Sequence, residues 1–303
     1  MDISQNISEE FGNDEENNYL NLIKKVLNDG IDKEDRTGVG VRSLFGGSLS
    51  FNLDNSFPLL TTKKMGLKGI YEELMWILRG STNNKELQKK KVQIWTGNSS
   101  REFLDSRNLH HYEEGDIGPT YGFAVRSYGA EYNGCDKDYS DKGFDQLEYI
   151  IDLLKNDPSS RRILINLWDP TVIDKVALTP CMMTYNFYVD TVNKKLNLQI
   201  YIRSSDTFLG LPWNIAYSAL LVYLLCNVEG IDFMPGQLNI ITCDQHIYNN
   251  HFESVKLQTN RIPYKFPKLN INRKVKNITE FNWEDIELLD YNYYDPIRAP
   301  MAI

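Results

Sequence analysis

The chain has 303 residues, of which 42% are hydrophobic and 24% charged, and this ordinary globular composition excludes a wholly disordered or fibrous protein. The longest nearly apolar run covers residues 215–228, which is too short for a membrane-spanning helix of about 20 residues. We expect no secretory signal, and the four cysteines lack the spacing of a disulfide framework, so a cytoplasmic protein is expected.

The net charge of −8 is concentrated near the amino terminus. Residues 1–17 carry six acidic side chains and no lysine or arginine, a pattern typical of a disordered acidic tail. Residues 18–303 are close to neutral and have no linker-like stretch, so they are expected to form one folded domain. Such a domain lacks the positive field that attracts nucleic acid, and a local group of arginines would have to hold any anionic ligand.

The hydrophobic pattern predicts a mixture of helices and strands. Apolar residues three and four positions apart predict helices at residues 18–28, 67–78, 144–154, 213–227 and 245–257. Alternating or continuous apolar runs predict strands at residues 42–51, 163–168, 182–189, 196–204 and 238–242. The order has no regular βαβ rhythm, so the predicted class is α/β or α+β around a mixed sheet.

Glu73 stands within an apolar stripe of the second predicted helix. Ile70, Glu73 and Ile77 are three and four residues apart, so they share one helix face. Burial raises the pKa of a carboxyl group, which suits proton transfer near neutral pH. The alternatives are a side chain that reaches solvent at the edge of the stripe, or a structural ion pair.

Cys181 follows Pro180 at the start of a predicted strand, where a thiol can be presented to a ligand. A lone cysteine is more often a small buried hydrophobic residue, and a nearby cation is what would stabilise its thiolate. Arg203, on the neighbouring predicted strand, is the candidate cation.

Two short basic segments are candidates for binding phosphate. They are Arg161-Arg162 and residues 203–206, where guanidinium and hydroxyl groups occur together; solvated charge at a strand end is the alternative. His246 and Tyr248 are two residues apart and suit a sugar hydroxyl. The histidine spacing there differs from that of zinc sites, so no metal is expected.

Nine short segments occur in the order found in one enzyme family. They are residues 35–38, 57–64, 73–76, 115–122, 161–163, 177–181, 205–216, 244–248 and 299–303. From about residue 18 to residue 303 the chain therefore resembles thymidylate synthase. The resemblance implies one catalytic domain with a six-stranded, mainly antiparallel sheet. It also implies a homodimer that forms through this sheet and shares arginines between subunits.

The resemblance further implies reductive methylation of dUMP to dTMP. The cosubstrate 5,10-methylenetetrahydrofolate would supply the one-carbon unit and the hydride and leave as dihydrofolate, without metal or nicotinamide. Cys181 would add to C6 of uracil, Glu73 would assist proton movement, and Asn214 would bond the pyrimidine edge. The full implied catalytic set is Cys181, Glu73, Tyr121, Asn214, Arg203 and Asp206.

The same resemblance implies two sets of binding residues. Those for dUMP are Arg36, Arg161, Arg162, Arg203, Ser204, Ser205, Asp206, Asn214, His246 and Tyr248, with Arg161 and Arg162 coming from the partner subunit. Those for the folate are Trp95, Asn98, Asp206, Gly210, Ala302 and Ile303. Ile303 would close over the bound pair and exclude water from the reaction.

The chain departs from the family pattern around the thiol, and other functions stay open. Met182 stands where histidine is usual, and Asn186, Ile202 and Ala124-Val125 also replace other residues. The nearest alternative is dUMP hydroxymethylation on the same scaffold, in which water quenches the methylene intermediate. A cytosine enzyme would need Asp at position 214, since N3 of cytosine carries no proton. A nucleic-acid-binding module and a catalytically inactive relative are the remaining alternatives.

Overall fold

The computed structural model describes residues 11–303. Within them, helices α1 to α8 span Asp14–Asp29, Leu67–Leu78, Asn84–Lys89, Arg101–Ser106, Gly122–Arg126, Gln146–Asn156, Gly210–Cys226 and Phe252–Thr259. Strands β1 to β8 span Ile31–Lys33, Val41–Asn52, Leu164–Asn166, Met182–Asp190, Lys195–Asp206, Met234–Tyr248, Lys268–Ile271 and Ile286–Leu289. Among the described residues, no helix is long and apolar enough to cross a membrane.

Six strands form the main sheet in the order β1-β2-β6-β5-β4-β3, and β7 pairs with β8 in a small separate sheet. The pairs in the main sheet are antiparallel except β5 with β6, which run parallel. A parallel pair needs a long crossover connection, and α7 supplies it here. The predicted mixed, mainly antiparallel sheet of six strands is therefore confirmed.

The core lies between the sheet and the helices α2 and α7. α7 is apolar around its whole circumference, and such a helix is stable only when it is surrounded. On β5, Leu196, Leu198, Ile200 and Ile202 are all buried on the face that α7 covers, as their alternation predicts. Burying such side chains contributes roughly 1.5–3 kcal/mol each before the entropy cost is counted.

The other face of the sheet carries apolar side chains that remain exposed. Leu164, Tyr188, Tyr201 and Ile241, on β3 to β6, have between 37% and 68% of their surface accessible. We call these four residues the outer apolar face; such exposed apolar patches mark interaction surfaces.

Helix α1 begins at Asp14, so the predicted disordered tail is wrong for residues 14–17. The side chain of Asn13 accepts a hydrogen bond from the backbone N–H of Glu16 at 3.0 Å and caps the helix. Glu16 is fully buried, and its carboxylate is stable there because it accepts hydrogen bonds from Thr61 and Thr62. Acidic residues also favour the first turn of a helix, so this acidic run starts one. Residues 1–10 lie outside the described residues, and for them the tail stays a prediction.

The predicted helix at residues 245–257 is wrong in its first half. β6 continues to Tyr248, with His246 opposite Ser43 and Ile247 opposite Arg42 in the antiparallel ladder with β2. Tertiary pairing therefore overrides a local pattern that is compatible with a helix. The helix that follows is only Phe252–Thr259.

Candidate active site

The parallel pairing of β5 and β6 brings polar side chains together at one edge of the sheet. Ser204 lies opposite Asp244, and Asp206 lies opposite His246. Cys181 immediately precedes β4, and its carbonyl accepts a hydrogen bond from the backbone N–H of Arg203 at 3.0 Å. Three strands thus place a thiol, a guanidinium, a carboxylate and an imidazole at the same edge.

Tyr121 supports the backbone of Cys181. Its hydroxyl oxygen accepts a hydrogen bond from the N–H of Cys181 at 3.0 Å, and its ring meets Trp95 edge-on at 5.4 Å. Tyr121 itself has φ of +36°, a conformation that non-glycine residues rarely adopt. Such strained residues are found where the surrounding structure needs a side chain in one position, and here that position is beside the half-buried thiol.

Arg203 holds the segment that leads into Cys181. Its Nε donates to the carbonyl of Pro180 at 2.8 Å, and its Nη2 donates to Thr179 at its carbonyl (3.0 Å) and its hydroxyl (2.6 Å). The guanidinium also packs over the ring of Trp168 at 5.3 Å. Nη1 makes no hydrogen bond within residues 11–303 and remains available to a ligand.

Burial raises the pKa of the Cys181 thiol above its usual value, and this is the largest effect on it. The positive charges of Arg203 and Arg36 act in the opposite direction, while the negative charge of Asp206 adds to the rise. The charge of Arg203 therefore acts in the direction expected of a cation beside the thiol, but in the single chain burial outweighs it.

Glu73 is buried on α2 and is held by two indole groups. Its Oε1 accepts from Nε1 of Trp95 at 2.8 Å, and its Oε2 accepts from Nε1 of Trp213 at 2.5 Å. Burial raises the pKa of Glu73, while the two hydrogen bonds lower it by a smaller amount. The apolar stripe therefore predicted its burial correctly, and among the described residues Glu73 neither reaches solvent nor forms an ion pair.

Trp213 and Lys63 are two residues at the site that the sequence reasoning did not single out. The half-buried indole N–H of Trp213 needs an acceptor, but no neighbouring residue in the sequence identifies Glu73 as that acceptor. Lys63 is buried with its ammonium 3.7 Å from the ring centre of Phe208, whose carbonyl accepts its hydrogen bond. Burial lowers the pKa of Lys63 to about 7, against the opposing negative charges of Asp206 and Glu16.

Asp206 joins the end of β5 to the start of α7. Its Oδ1 accepts from the backbone N–H groups of Phe208 (2.9 Å) and Leu209 (3.1 Å). Gly210 follows, and a methyl group there would meet only the Cβ of Asp206, at 3.5 Å, so there is open space beside it. Asn214, one turn further along α7, is half-buried, and its amide makes no hydrogen bond within the described residues.

His246 and Tyr248 lie together at the end of β6, with ring centres 5.3 Å apart. Nδ1 of His246 lies 3.2 Å from the carboxylate of Asp244, and this contact holds the pKa of Asp244 down to about 2. Burial raises the pKa of Tyr248 to about 12, with the charges of Asp206 and Asp35 adding to the rise.

The phosphate-binding candidates do not all meet in one chain. Arg36 packs over the ring of Phe103 at 5.5 Å, and its charge reaches the Cys181 thiol. Ser204 is half-buried, and the buried hydroxyl of Ser205 has no hydrogen-bond partner within residues 11–303.

Arg161 and Arg162 are exposed and lie far from Cys181. They precede β3, whose Leu164 lies opposite Asn186, so they are at the end of β4 remote from the thiol. Along β4, about seven residues separate Cys181 from the position beside Arg162, which is roughly 20 Å at the rise of a β-strand. One chain therefore does not bring Arg161 or Arg162 to its own Cys181.

Four of the folate-binding candidates, Trp95, Asn98, Ala302 and Ile303, lie near the indole of Trp95 that bonds to Glu73. Trp95 and Asn98 are buried, and Gly97 lies between them. A methyl group at Gly97 would come within 2.2 Å of Cδ1 of Ile303, so the Ile303 side chain packs on the Gly97 backbone. With Ala302 half-buried beside it, the C-terminal segment reaches the site next to Trp95.

The family model described as thymidylate synthase matches residues 17–303. The chain belongs to the thymidylate synthase family. This confirms the resemblance found in the sequence and agrees with the mixed sheet described above. Among residues 11–303, no group of three or more His, Cys, Asp or Glu side chains is placed to hold a metal ion.

Three curated relatives illustrate the similarity. The chain is 46% identical over 285 residues to a thymidylate synthase from Homo sapiens, covering 94% of this chain and 90% of that protein. It is 45% identical over 289 residues to one from Human herpesvirus 8 type P, covering 95% and 85%. It is 47% identical over 289 residues to a bifunctional dihydrofolate reductase-thymidylate synthase from Paramecium tetraurelia, covering 95% of this chain.

The bifunctional relatives are longer proteins. The chain spans 62% of the length of the Paramecium tetraurelia protein and 55% of a bifunctional relative from Zea mays. The similarity to this group therefore concerns about half to two thirds of their length.

Proposed function

We propose that the chain catalyses the reductive methylation of dUMP to dTMP, with 5,10-methylenetetrahydrofolate as cosubstrate. The observation that carries the proposal is the half-buried Cys181 thiol, which shares one edge of the sheet with the groups on β5 and β6. Family membership and the names of the relatives support the same reaction.

Cys181 is the nucleophile of the proposed reaction. C5 of uracil is a weak nucleophile, and addition of the Cys181 thiolate to C6 moves the ring's electron pair toward C5 and O4, giving an enolate. The positive charges of Arg203 and Arg36 favour the thiolate that this step needs. Tyr121 holds the Cys181 backbone in place through the hydrogen bond from its N–H.

Asn214 recognises uracil in this proposal. Its amide N–H donates to O4 and its carbonyl accepts from N3–H, and both groups are available because the amide makes no hydrogen bond within residues 11–303. Cytosine would present a donor and an acceptor in the reverse order, so one buried edge discriminates strongly between the bases.

The arginines hold the phosphate of dUMP, and β6 holds its sugar. Arg36, Arg203, Ser204 and Ser205 surround the phosphate, with the free Nη1 of Arg203 as one donor. His246 and Tyr248 bond the ribose hydroxyl. Asp244 holds the imidazole of His246 in one orientation for this role.

The folate fits beside Trp95 and Asn98, where the C-terminal segment ends. The open space at Gly210 and the second carboxylate oxygen of Asp206 suit the edge of a planar ring with N–H donors. Ala302 and Ile303 cover the same region. When bound, the folate supplies the one-carbon unit and the hydride, and Glu73 holds a proton near O4 and C5 of the nucleotide.

The active unit in this proposal is a cytoplasmic homodimer that forms through the outer apolar face. Four exposed apolar side chains on adjacent strands favour burial against a second copy. Arg161 and Arg162, roughly 20 Å from their own Cys181, would then complete the phosphate site of the partner.

The test is covalent capture with 5-fluoro-dUMP and the folate, read by intact mass. We expect one adduct per chain, which Cys181→Ser abolishes and Cys135→Ser, another half-buried cysteine, retains. Absence of the adduct from the unmodified protein would contradict the proposal. Separating dTMP from hydroxymethyl-dUMP among the products of dUMP then tests hydroxymethylation, which no observation on this chain favours.

A further inference from the structure

The last eight residues of the chain have a single polar attachment to the rest of the described molecule. Residues 291–295 are well anchored, for example by Tyr294, which donates its N–H to Thr61, and by Arg261, which donates to the carbonyl of Asp295. In residues 296–303, the one hydrogen bond within the described chain joins Nε2 of His251 to the carbonyl of Pro300, at 2.7 Å.

The surroundings of the His251 ring favour this one hydrogen bond. Its ring is fully buried, against Phe208 at 5.4 Å and Tyr248 at 5.6 Å between ring centres. A carbonyl oxygen only accepts, so Nε2 must carry the proton. Nδ1 is buried without a partner in residues 11–303, and a second proton there would be an unsatisfied donor. The geometry therefore selects the neutral ring protonated on Nε2.

This hydrogen bond can affect the site because Pro300 is close to Ile303 in the sequence. Three residues further along, Ile303 packs on the backbone of Gly97, next to Trp95 and the buried Glu73. Most of residues 296–303 is exposed, and the half-buried Ile297 and Ala299, which pack against the core, both lie before Pro300. Releasing the carbonyl of Pro300 would let Ile303 leave Gly97.

We propose that His251 is a positioning residue that holds residues 296–303 against the folate side of the site. The role deepens the proposed function, because a segment that stays in place keeps water from the reacting groups. His251 packs against Phe208 and Tyr248, and its one hydrogen bond within residues 11–303 goes to Pro300, so it acts through the segment and not on the nucleotide ring.

Two amide substitutions test the role and differ by one methylene group. The amide of His251→Gln can place a donor where Nε2 stood, whereas the amide of His251→Asn ends too far from Pro300. We expect carboxypeptidase to release Ile303 from the substrate-free His251→Asn protein about tenfold faster than from the unmodified protein. We expect His251→Gln to restore most of the protection, and His110→Leu, at an exposed histidine, to change nothing.

Kinetics give a second readout. His251→Asn should raise KM for the folate several-fold and leave the dissociation constant of dUMP within about threefold, with His251→Gln closer to the unmodified protein. Equal proteolysis rates for the two amide variants and the unmodified protein would overturn the proposal. Because the proteolysis assay needs no substrate, its result stands apart from the failure or success of the proposed reaction.

A measurement on the unmodified protein covers the case in which a variant does not fold. With histidine labelled by ¹⁵N, the NMR signals of His251 should show a protonated Nε2 and an unprotonated Nδ1. Protonation on Nδ1, or a mixture of both neutral forms, would contradict the hydrogen bond to Pro300 and with it the proposed role.

Discussion

The pKa of Glu73 depends on burial and on two hydrogen-bond donors that lie far apart in the chain. A buried carboxylate without partners would take up a proton, and burial raises the pKa of Glu73 for this reason. The indole N–H groups of Trp95 and Trp213 each satisfy one oxygen and limit the rise. Glu73 therefore holds a proton more readily than an exposed carboxyl group, which suits a residue that takes up and releases a proton during a reaction.

Glu73→Gln is expected to lower kcat by a factor of about 100 or more while dUMP still binds. The amide cannot exchange a proton, and its NH₂ group would face one of the two indole donors. Steady-state kinetics and equilibrium binding of dUMP measure the two effects. Glu72→Gln is the matched control, since Glu72 is equally buried on the same helix but, within the described residues, pairs with Lys90 and accepts no hydrogen bond from either indole. Similar kcat losses in both variants would show that the effect is structural.

The pKa of Glu73 also predicts a pH dependence of stability. The folded protein holds the proton of this raised carboxyl group more tightly than the unfolded chain, whose value is near 4.5. The free energy of unfolding contributed by Glu73 therefore falls as pH rises from about 4.5 through the folded value. Urea unfolding of the unmodified protein and of Glu73→Gln should diverge over this window, and parallel curves would contradict the assignment. Tryptophan absorbance should change over the same window, because both indoles face the carboxylate.

At the scale of elements, helix α1 is joined to the body of the molecule by its buried apolar side chains, by the hydrogen bond from the Tyr19 hydroxyl to the carbonyl of Thr207, and by one buried carboxylate. Glu16 accepts hydrogen bonds from the backbone N–H and the hydroxyl of both Thr61 and Thr62. Those threonines immediately precede Lys63, which lies against Phe208 and near Asp206. α1 thereby supports the segment behind the proposed folate-binding residues.

Glu16→Ala should lower the free energy of unfolding by about 3 kcal/mol, since it removes the acceptor of four buried donors, of which the Thr61 hydroxyl also contacts the carbonyl of Tyr264. Chemical denaturation measures the change. Asp14→Ala removes an exposed carboxylate from the same first turn and should cost less than about 1 kcal/mol. A loss for Glu16→Ala no larger than that for Asp14→Ala would show that the buried contacts are unimportant.

Elements with a clear periodicity could be predicted from the sequence, and elements fixed by distant contacts could not. Helix α2 has the predicted bounds 67–78, because its apolar stripe and Gly80 define both ends. The local sequence pattern at the end of β6 predicts a helix, and the segment is a strand only because it pairs with β2. The acidic run before residue 18 has the composition of a disordered tail, because no neighbouring residue indicates that Glu16 will bond to Thr61 and Thr62.

In the active site, too, features set by local spacing could be predicted and contacts between distant residues could not. The burial of Glu73 follows from its place on one helix face, so it could be predicted from spacing. Its bond to Trp213 joins residues 140 positions apart and has no local signal. The contact of Ile303 with Gly97, and the bond from His251 to Pro300, are likewise visible only once the chain is folded.

At the scale of the whole molecule, the outer apolar face predicts the response to an introduced charge. Ile241→Glu would bury an unpaired carboxylate at the proposed contact between two copies, so we expect a single-chain mass in sedimentation. Val192→Glu places the same charge in the exposed turn between β4 and β5 and should leave the mass unchanged. A dimer that persists in Ile241→Glu would mean that the contact lies elsewhere.

Shared arginines predict that two inactive proteins restore activity when mixed. One carries Cys181→Ser, and the other carries Arg161→Ala with Arg162→Ala. After subunit exchange, a mixed dimer contains one site with an intact thiol and intact arginines from the partner. We expect activity to reappear well above that of either variant alone, and its absence would contradict the exchange of arginines between subunits.

The parallel pairing of β5 with β6 has a consequence for refolding. The two strands meet only after α7 has crossed over the sheet, and contacts of such long sequence separation form slowly. Hairpins such as β4 with β5 can form before then, and so can the isolated helices. In a refolding time course, ellipticity should therefore recover first, and the ability to retain a nucleotide should lag behind it.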